Sequence, residues 1–233
     1  MAANQKNRPH TTVILAMSAD GKIADVERSP ARFTSKEDKA HLEQQIAACD
    51  GVLFGAGTLR AYGTTLRVSQ PSLVQQRSQQ NLPPQPIQIV ASRTANIDAQ
   101  LRFFRQPVER WLLTTATGAQ QWQQCPEFFE QILVYETPDS LTIDWIAALQ
   151  QMVNQGLSRL AVLGGGQLVA SLIAGDLIDE LWLTLCPVIL GGATAPTPVD
   201  GAGFSPPLAP RLELLEAKTI GQEVFLHYRL QRL

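Results

Sequence analysis

Cysteine, aromatic side chains and any excess of one charge are scarce in this sequence. The three cysteines among 233 residues, Cys49, Cys125 and Cys186, are odd in number and far apart. That excludes a disulfide framework and fits a reducing compartment in which thiols act as small buried hydrophobes. Nineteen Lys and Arg stand against 21 Asp and Glu, a net charge of −2. Without a basic excess nothing recruits a phosphate backbone, and nucleic acid is not expected as a partner. The longest apolar stretches are interrupted by Gly or Asp well below about 18 residues, so no membrane span is expected. Residues 1–9 are polar and lack the apolar core of a secretory signal, which points to the cytoplasm. Aromatics are only 6%, but hydrophobic residues reach 45%. A chain of this length buries about 70% of its unfolded surface without help from metal or disulfide.

Several catalytic signatures are missing too. There is no G-x-S-x-G elbow, no P-loop and no G-x-G-x-x-G. His41-Leu42-Glu43 matches half of the zinc nucleobase-deaminase signature, but no P-C-x-x-C supplies the thiolates. That triplet is expected on a solvated helix face. His10, His41 and His227 are not spaced as metal ligands with any cysteine, so no metal is expected.

What remains is an alternation of short apolar strands and helical stretches. Strands are expected at 11–17, 51–55, 87–91, 111–115, 132–135, 160–163 and 181–185, and a final antiparallel pair at 212–215 and 224–228. Thr34-Ser35-Lys36-Glu37 carries a capping-box pattern that starts a helix. Further helices are expected from Ala56, around Gln120 to Trp122, over 143–153 and over 167–174. Residues 68–86, rich in Gln, Ser and Pro, read as a solvated loop. The pattern predicts an α/β fold: a mostly parallel central sheet, helices on both faces and an antiparallel C-terminal edge. Residues 1–8 are expected as a flexible tail and 9–233 as one domain.

Four places carry candidate chemistry. Gly164-Gly165-Gly166 joins a strand to a helix, where the backbone can approach a phosphate and free N–H groups meet it. A plain tight turn is the competing reading. Gly55-Ala56-Gly57-Thr58 repeats that logic, and ligands in such sheets collect at the carboxyl ends of the strands. Ser92-Arg93 follows another strand and suits a phosphate monoester such as the 2′-phosphate of NADP, or is an ordinary exposed loop. Asp20-Gly21-Lys22 follows the first strand and is either an acid–base pair or a turn.

Arg8-Pro9-His10, the run from Ala16 to Ala24, Thr34-Ser35, the run from Asp50 to Leu59, Gly164-Gly165-Gly166 and Leu177-Ile178-Asp179-Glu180-Leu181 occur in the order and spacing of one family. Together they resemble the reductase domain of the bacterial riboflavin-biosynthesis deaminase–reductase and its free-standing archaeal relatives, of the dihydrofolate-reductase-like superfamily. The likeness runs from about residue 8 to the end, without the deaminase module. It implies an NADPH-dependent reductase that converts a ribosylamino to a ribitylamino group on a phosphorylated pyrimidine, and a homodimer. Carried over by position, Met17, Gly57, Thr58, Ser92, Arg93, Gly164, Gly165, Gly166, Gln167 and Leu168 would contact the cofactor. Asp20, Lys22, Leu66 and Leu163 would face the substrate.

The substrate side departs from the family. Arg60-Ala61-Tyr62-Gly63-Thr64 stands where Asp-Asp-Pro is usual, so Tyr62 takes a carboxylate's place and, with Asp20, becomes a candidate catalytic group. Leu163 replaces a usual Glu, and Ile46 lies where Leu-Arg-Ala is common. Lost hydrogen bonds of that kind change specificity by orders of magnitude. The alternatives are therefore an NADPH reductase of the same fold for another heterocycle or carbonyl, or a nucleotide-binding module without turnover.

Overall fold

The computed structural model describes residues 7–139 and 142–231; the expected tail lies, up to residue 6, outside them. The chain divides into two compact units, one of residues up to 10 with 43–161, the other of 11–42 with 162–233.

In the first unit, β2 (Gly51–Gly55), β3 (Ile87–Ala91), β4 (Arg110–Thr114) and β5 (Gln131–Val134) pair in parallel. With β6 (Arg159–Val162) the order is β5-β4-β3-β2-β6. Val52, Leu53, Ile89, Val90, Leu112 and Leu113 are almost wholly buried, which is why these strands are continuous apolar runs rather than alternating ones. The helices α2 (Ala56–Tyr62), α3 (Pro71–Gln79), α4 (Ala116–Ala119) and α5 (Trp145–Asn154) connect them. A one-turn 3-10 helix, Arg102–Arg105, precedes β4. In the second unit β1 (His10–Ser18) pairs in parallel with β7 (Glu180–Cys186), and β7 pairs antiparallel with β9 (Glu223–Gln231). β8 (Arg211–Ile220) pairs with β9 and forms the edge, giving the order β1-β7-β9-β8. The helix α6 (Gly166–Ala174) belongs here, and α1 (Lys36–Ala47) begins here. The expected mostly parallel α/β fold with an antiparallel edge is the fold observed.

Four local expectations need correction. The 68–86 segment is not simply a loop: Pro71 at the first helical turn opens α3, and the helix is anchored by a fully buried Arg77. The cap of α1 is Ser35 rather than Thr34, because the Asp38 N–H donates to Ser35 Oγ at 3.0 Å while Glu223 accepts the Ser35 N–H at 2.9 Å. The helix expected around Gln120 is α4, ending at Ala119, with turns at 120–124. The His41–Glu43 triplet is not solvated: Glu43 is 4% exposed and accepts the backbone N–H groups of Ser69 and Gln70 at 2.5 and 2.7 Å.

Of the cysteines, Cys49 and Cys186 are buried and Cys125 partly so. Burial pushes the first two thiols up to about 11 and about 12, leaving them inert at neutral pH. No helix among the described residues is long and apolar enough to cross a membrane, and no group of three or more His, Cys, Asp or Glu there could hold a metal.

Candidate active site

In the second unit, β1 ends in a turn built on one side chain. Ser18 is fully buried; its Oγ donates to Asp20 Oδ1 at 2.6 Å and accepts the Lys22 N–H at 2.9 Å. Asp20 then receives the Leu190 N–H at 3.1 Å and the Gly191 N–H at 2.7 Å, tying the turn to the segment after β7. These bonds, that of the Ser18 hydroxyl first, hold the Asp20 carboxyl down at about 2. At neutral pH Asp20 is therefore a fixed anion and not a proton source. Lys22 Nζ donates to the Ala195 carbonyl at 3.3 Å, and Met17 lies half-buried on β1 beside Leu185.

The glycine run follows β6. Gly164 has φ +86°, a left-handed conformation that glycine adopts without strain, and its peptide bond to Gly165 is cis. Gly165 is the cap residue of α6 and supplies no side-chain acceptor, so the first N–H groups of α6 carry no capping oxygen from it. Gly166 is needed for packing: a Cβ there would overlap the Thr197 carbonyl and stand 2.6 Å from Asp200 Oδ2. The Asp200 N–H donates to the Gly166 carbonyl at 3.1 Å, and the Asp200 carboxylate accepts Thr197 Oγ1 at 2.8 Å. Gln167 is exposed, Leu168 is buried and Leu163 is half-buried.

In the first unit, β2 leads directly into α2. Its cap, Gly55, likewise has no side-chain acceptor, Gly57 is exposed with nothing within 4 Å of its would-be Cβ, and Thr58 is half-buried. By contrast Thr115 caps α4, Asp144 caps α5, and Glu43 serves the start of α3. Helix starts without a side-chain acceptor thus include both glycine-led ones that the sequence singles out. After β3, Ser92 Oγ accepts the Ala95 N–H at 3.0 Å, and the Arg93 carbonyl accepts the hydroxyls of Thr114 and Thr115 at 3.2 and 2.9 Å. This fixes the backbone while the Arg93 side chain lies exposed. Tyr62 ends α2 and is exposed, and Leu66 is half-buried. Ile46 is fully buried, so its departure from the family is a core matter and not a substrate contact.

Ser18, which holds the Asp20 turn, and Asp200, which packs against the start of α6, are the supporting positions that local reading missed. Ser18 was legible as the serine just before Ala19-Asp20-Gly21. Asp200 lies 34 positions after Gly166 in an irregular segment, and no short-range signal marks it.

The sequence profile of the RibD C-terminal domain matches residues 9–226. A 2,5-diamino-6-ribosylamino-4(3H)-pyrimidinone 5′-phosphate reductase of Archaeoglobus fulgidus is 27% identical over 84% of this chain and 89% of its own length. The protein of that name from Methanothermobacter thermautotrophicus is 25% identical over 96% of this chain and 99% of its own length. Among solved structures, a pyrimidine reductase-like protein of Corynebacterium diphtheriae superposes with a TM-score of 0.81 at 20% identity, covering 98% of this chain and 94% of that one.

Proposed function

The chain belongs to the RibD C-terminal domain family, and from that premise we propose that it is an NADPH-dependent reductase of a phosphorylated ribosylamino-pyrimidine. The family match across residues 9–226 carries this reading, and because it spans both compact units it supports residues 9–233 acting as one reductase domain. The relatives named above, which bear the name of such a reductase, cover most of this chain, and the three scattered cysteines suit an enzyme of a reducing compartment such as the cytoplasm.

When bound, NADPH would supply a hydride equivalent for reduction of the ring-opened, imine-like sugar at C1′, with a proton added at the nitrogen. The start of α6 and the start of α2, both glycine-led, fit phosphate groups through backbone N–H donors and the positive helix end. Ser92 and Arg93 suit the 2′-phosphate, Met17 and Thr58 the cofactor's inner portion, and Gln167 and Leu168, in the first turn of α6, follow the glycine run assigned to the diphosphate. Asp20, ionised, would accept hydrogen bonds from the substrate and orient it, and Lys22, Leu66 and Leu163 are the other residues assigned to the substrate. Tyr62 is the candidate proton donor. Tyr62 and Leu163, in place of two carboxylates, favour a second reading in which the same chemistry acts on a different heterocycle or carbonyl.

Mixing the protein with NADPH and 2,5-diamino-6-ribosylamino-4(3H)-pyrimidinone 5′-phosphate should give a steady loss of the cofactor's near-ultraviolet absorbance. Arg93→Ala should weaken NADPH by about 1.5–3 kcal/mol and leave NADH nearly unchanged, the loss of one charge-assisted contact. Binding of NADPH without turnover of this pyrimidine transfers the case to another substrate or to a binding module. No heat on mixing with NADPH removes the reductase reading altogether.

A homodimer is the assembly we infer. β8 is an edge strand on which Leu212 and Leu214 are 43% and 53% exposed, beside an apolar groove of about 180 Å³ lined by Phe204, Leu212 and Leu230. Such an edge suits a second copy. Light scattering should return twice 25.5 kDa; a stable monomer at micromolar concentration rejects this.

A further inference from the structure

His41, set aside above as half of a zinc motif, sits in an aromatic slot on the sheet. On the face of β7 and β9 that α1 covers, its ring meets the Trp182 indole edge to face at 4.6 Å and the Phe225 ring at 5.1 Å. Its Nε2 is buried and has no hydrogen-bond partner. On another side of the same indole, His227 stacks at 4.0 Å with the planes 9° apart. The two histidines are provided for differently. His227 Nε2 lies 3.0 Å from Glu180 Oε2, and Glu180 also receives Arg229 at 3.4 Å. Among the described residues no carboxylate lies within salt-bridge distance of the His41 ring.

The charged and titratable groups facing His41 come from the two outer strands, Glu216 and Lys218 on β8 and His227 on β9; Glu180 of β7 and Arg229 of β9 are occupied with each other and with His227. Glu216 favours a proton on His41, whereas Lys218, His227 and above all burial oppose it, so the imidazole is held below its ordinary value. A proton added to this ring would place a cation between Trp182 and Phe225 with an unpaired N–H.

We propose that the His41–Trp182–His227 stack is an acid-sensitive latch that holds α1 on β7 and β9 while His41 is neutral and releases it when His41 is protonated. The sign follows from linkage. A histidine whose folded pKa is depressed leaves the unfolded chain binding more protons below about pH 6.5. Its contribution to stability is complete above that value and declines as the pH falls towards the folded pKa. The decline approaches a tenfold loss in the folding equilibrium constant per pH unit. It is independent of the reductase reading.

The test compares wild type with His41→Phe, which keeps a ring in the slot and removes the titration. Thermal midpoints should lie close together above pH 7, and the wild type should fall increasingly behind the variant between pH 7 and 5. Parallel curves overturn the proposal. Should the variant fold poorly, the imidazole signals of the wild-type protein decide, with His227→Gln and His10→Gln used for assignment. A His41 resonance titrating below the ordinary histidine range supports the latch, and one titrating at or above it refutes it.

Discussion

Gly166→Ala should destabilise the protein by about 3 kcal/mol, near the top of the range for overpacking a closed site. The added methyl has nowhere to go. It would overlap the Thr197 carbonyl, which is backbone, and crowd the Asp200 carboxylate, which is held in place by the N–H and hydroxyl of Thr197. Relief requires the 197–200 segment to move off the first turn of α6, breaking the bond from Asp200 N–H to the Gly166 carbonyl. The same movement displaces the N–H groups proposed to meet a diphosphate, so NADPH affinity should fall along with stability. Gly57→Ala is the matched control: it too opens a glycine-led helix, but nothing lies within 4 Å of the new methyl. There alanine should be neutral or stabilising by up to about 1 kcal/mol, through helix propensity. Urea denaturation of both variants measures the contrast, and equal midpoints would contradict the packing account.

That contrast illustrates what the sequence could and could not disclose. Both glycine-led junctions were visible as strand–glycine–helix patterns, because a buried apolar run ending in glycine is a local signal. The reason Gly166 must be glycine was not visible, since it depends on Thr197 and Asp200 far along the chain. The strands were readable for the same local reason: Val52, Leu53, Val90 and Leu112 belong to runs buried on both faces. α3 escaped because its sequence, Pro71 to Gln79, has no apolar stripe; its one buried side chain is an arginine. Likewise Thr34 and Ser35 both satisfy a capping pattern, and the choice between them is made by Glu223, whose carboxylate holds the N–H and hydroxyl of Ser35 from 188 positions away. His41 and Glu43 read as a polar helix face until Trp182, Phe225, Ser69 and Gln70 are brought against them. On the substrate side, Ile46 looked like an altered contact and is core, whereas Tyr62, exposed at the end of α2, remains a candidate.

Arg77→Ala should cost about 3–5 kcal/mol, the range for breaking a buried, hydrogen-bonded charge. The guanidinium is fully buried without a carboxylate partner among the described residues; backbone carbonyls accept from its Nη1 and Nε instead, and its Nη2 is buried with no hydrogen-bond partner among them. Nη1 donates to Ala47 O at 2.8 Å and Cys49 O at 2.7 Å, and Nε donates to Pro83 O at 2.7 Å. Ala47 ends α1, where carbonyls carry the negative end of the helix dipole, so a cation is favoured there on two counts. One side chain thereby joins the end of α1, the entry to β2 and the chain after α3. Alanine would leave three carbonyls unpaired and a void. Lysine would keep the charge but replace a planar fork with a single point donor, and should recover only a minor part of the loss. Cys49, buried beside this arginine with its thiol pushed up to about 11, provides a second readout. In the native protein it should resist a thiol reagent, and in Arg77→Ala it should react under conditions where the fold still persists. A variant that loses less than about 1 kcal/mol and keeps Cys49 silent would show that α3 is held by something other than this guanidinium.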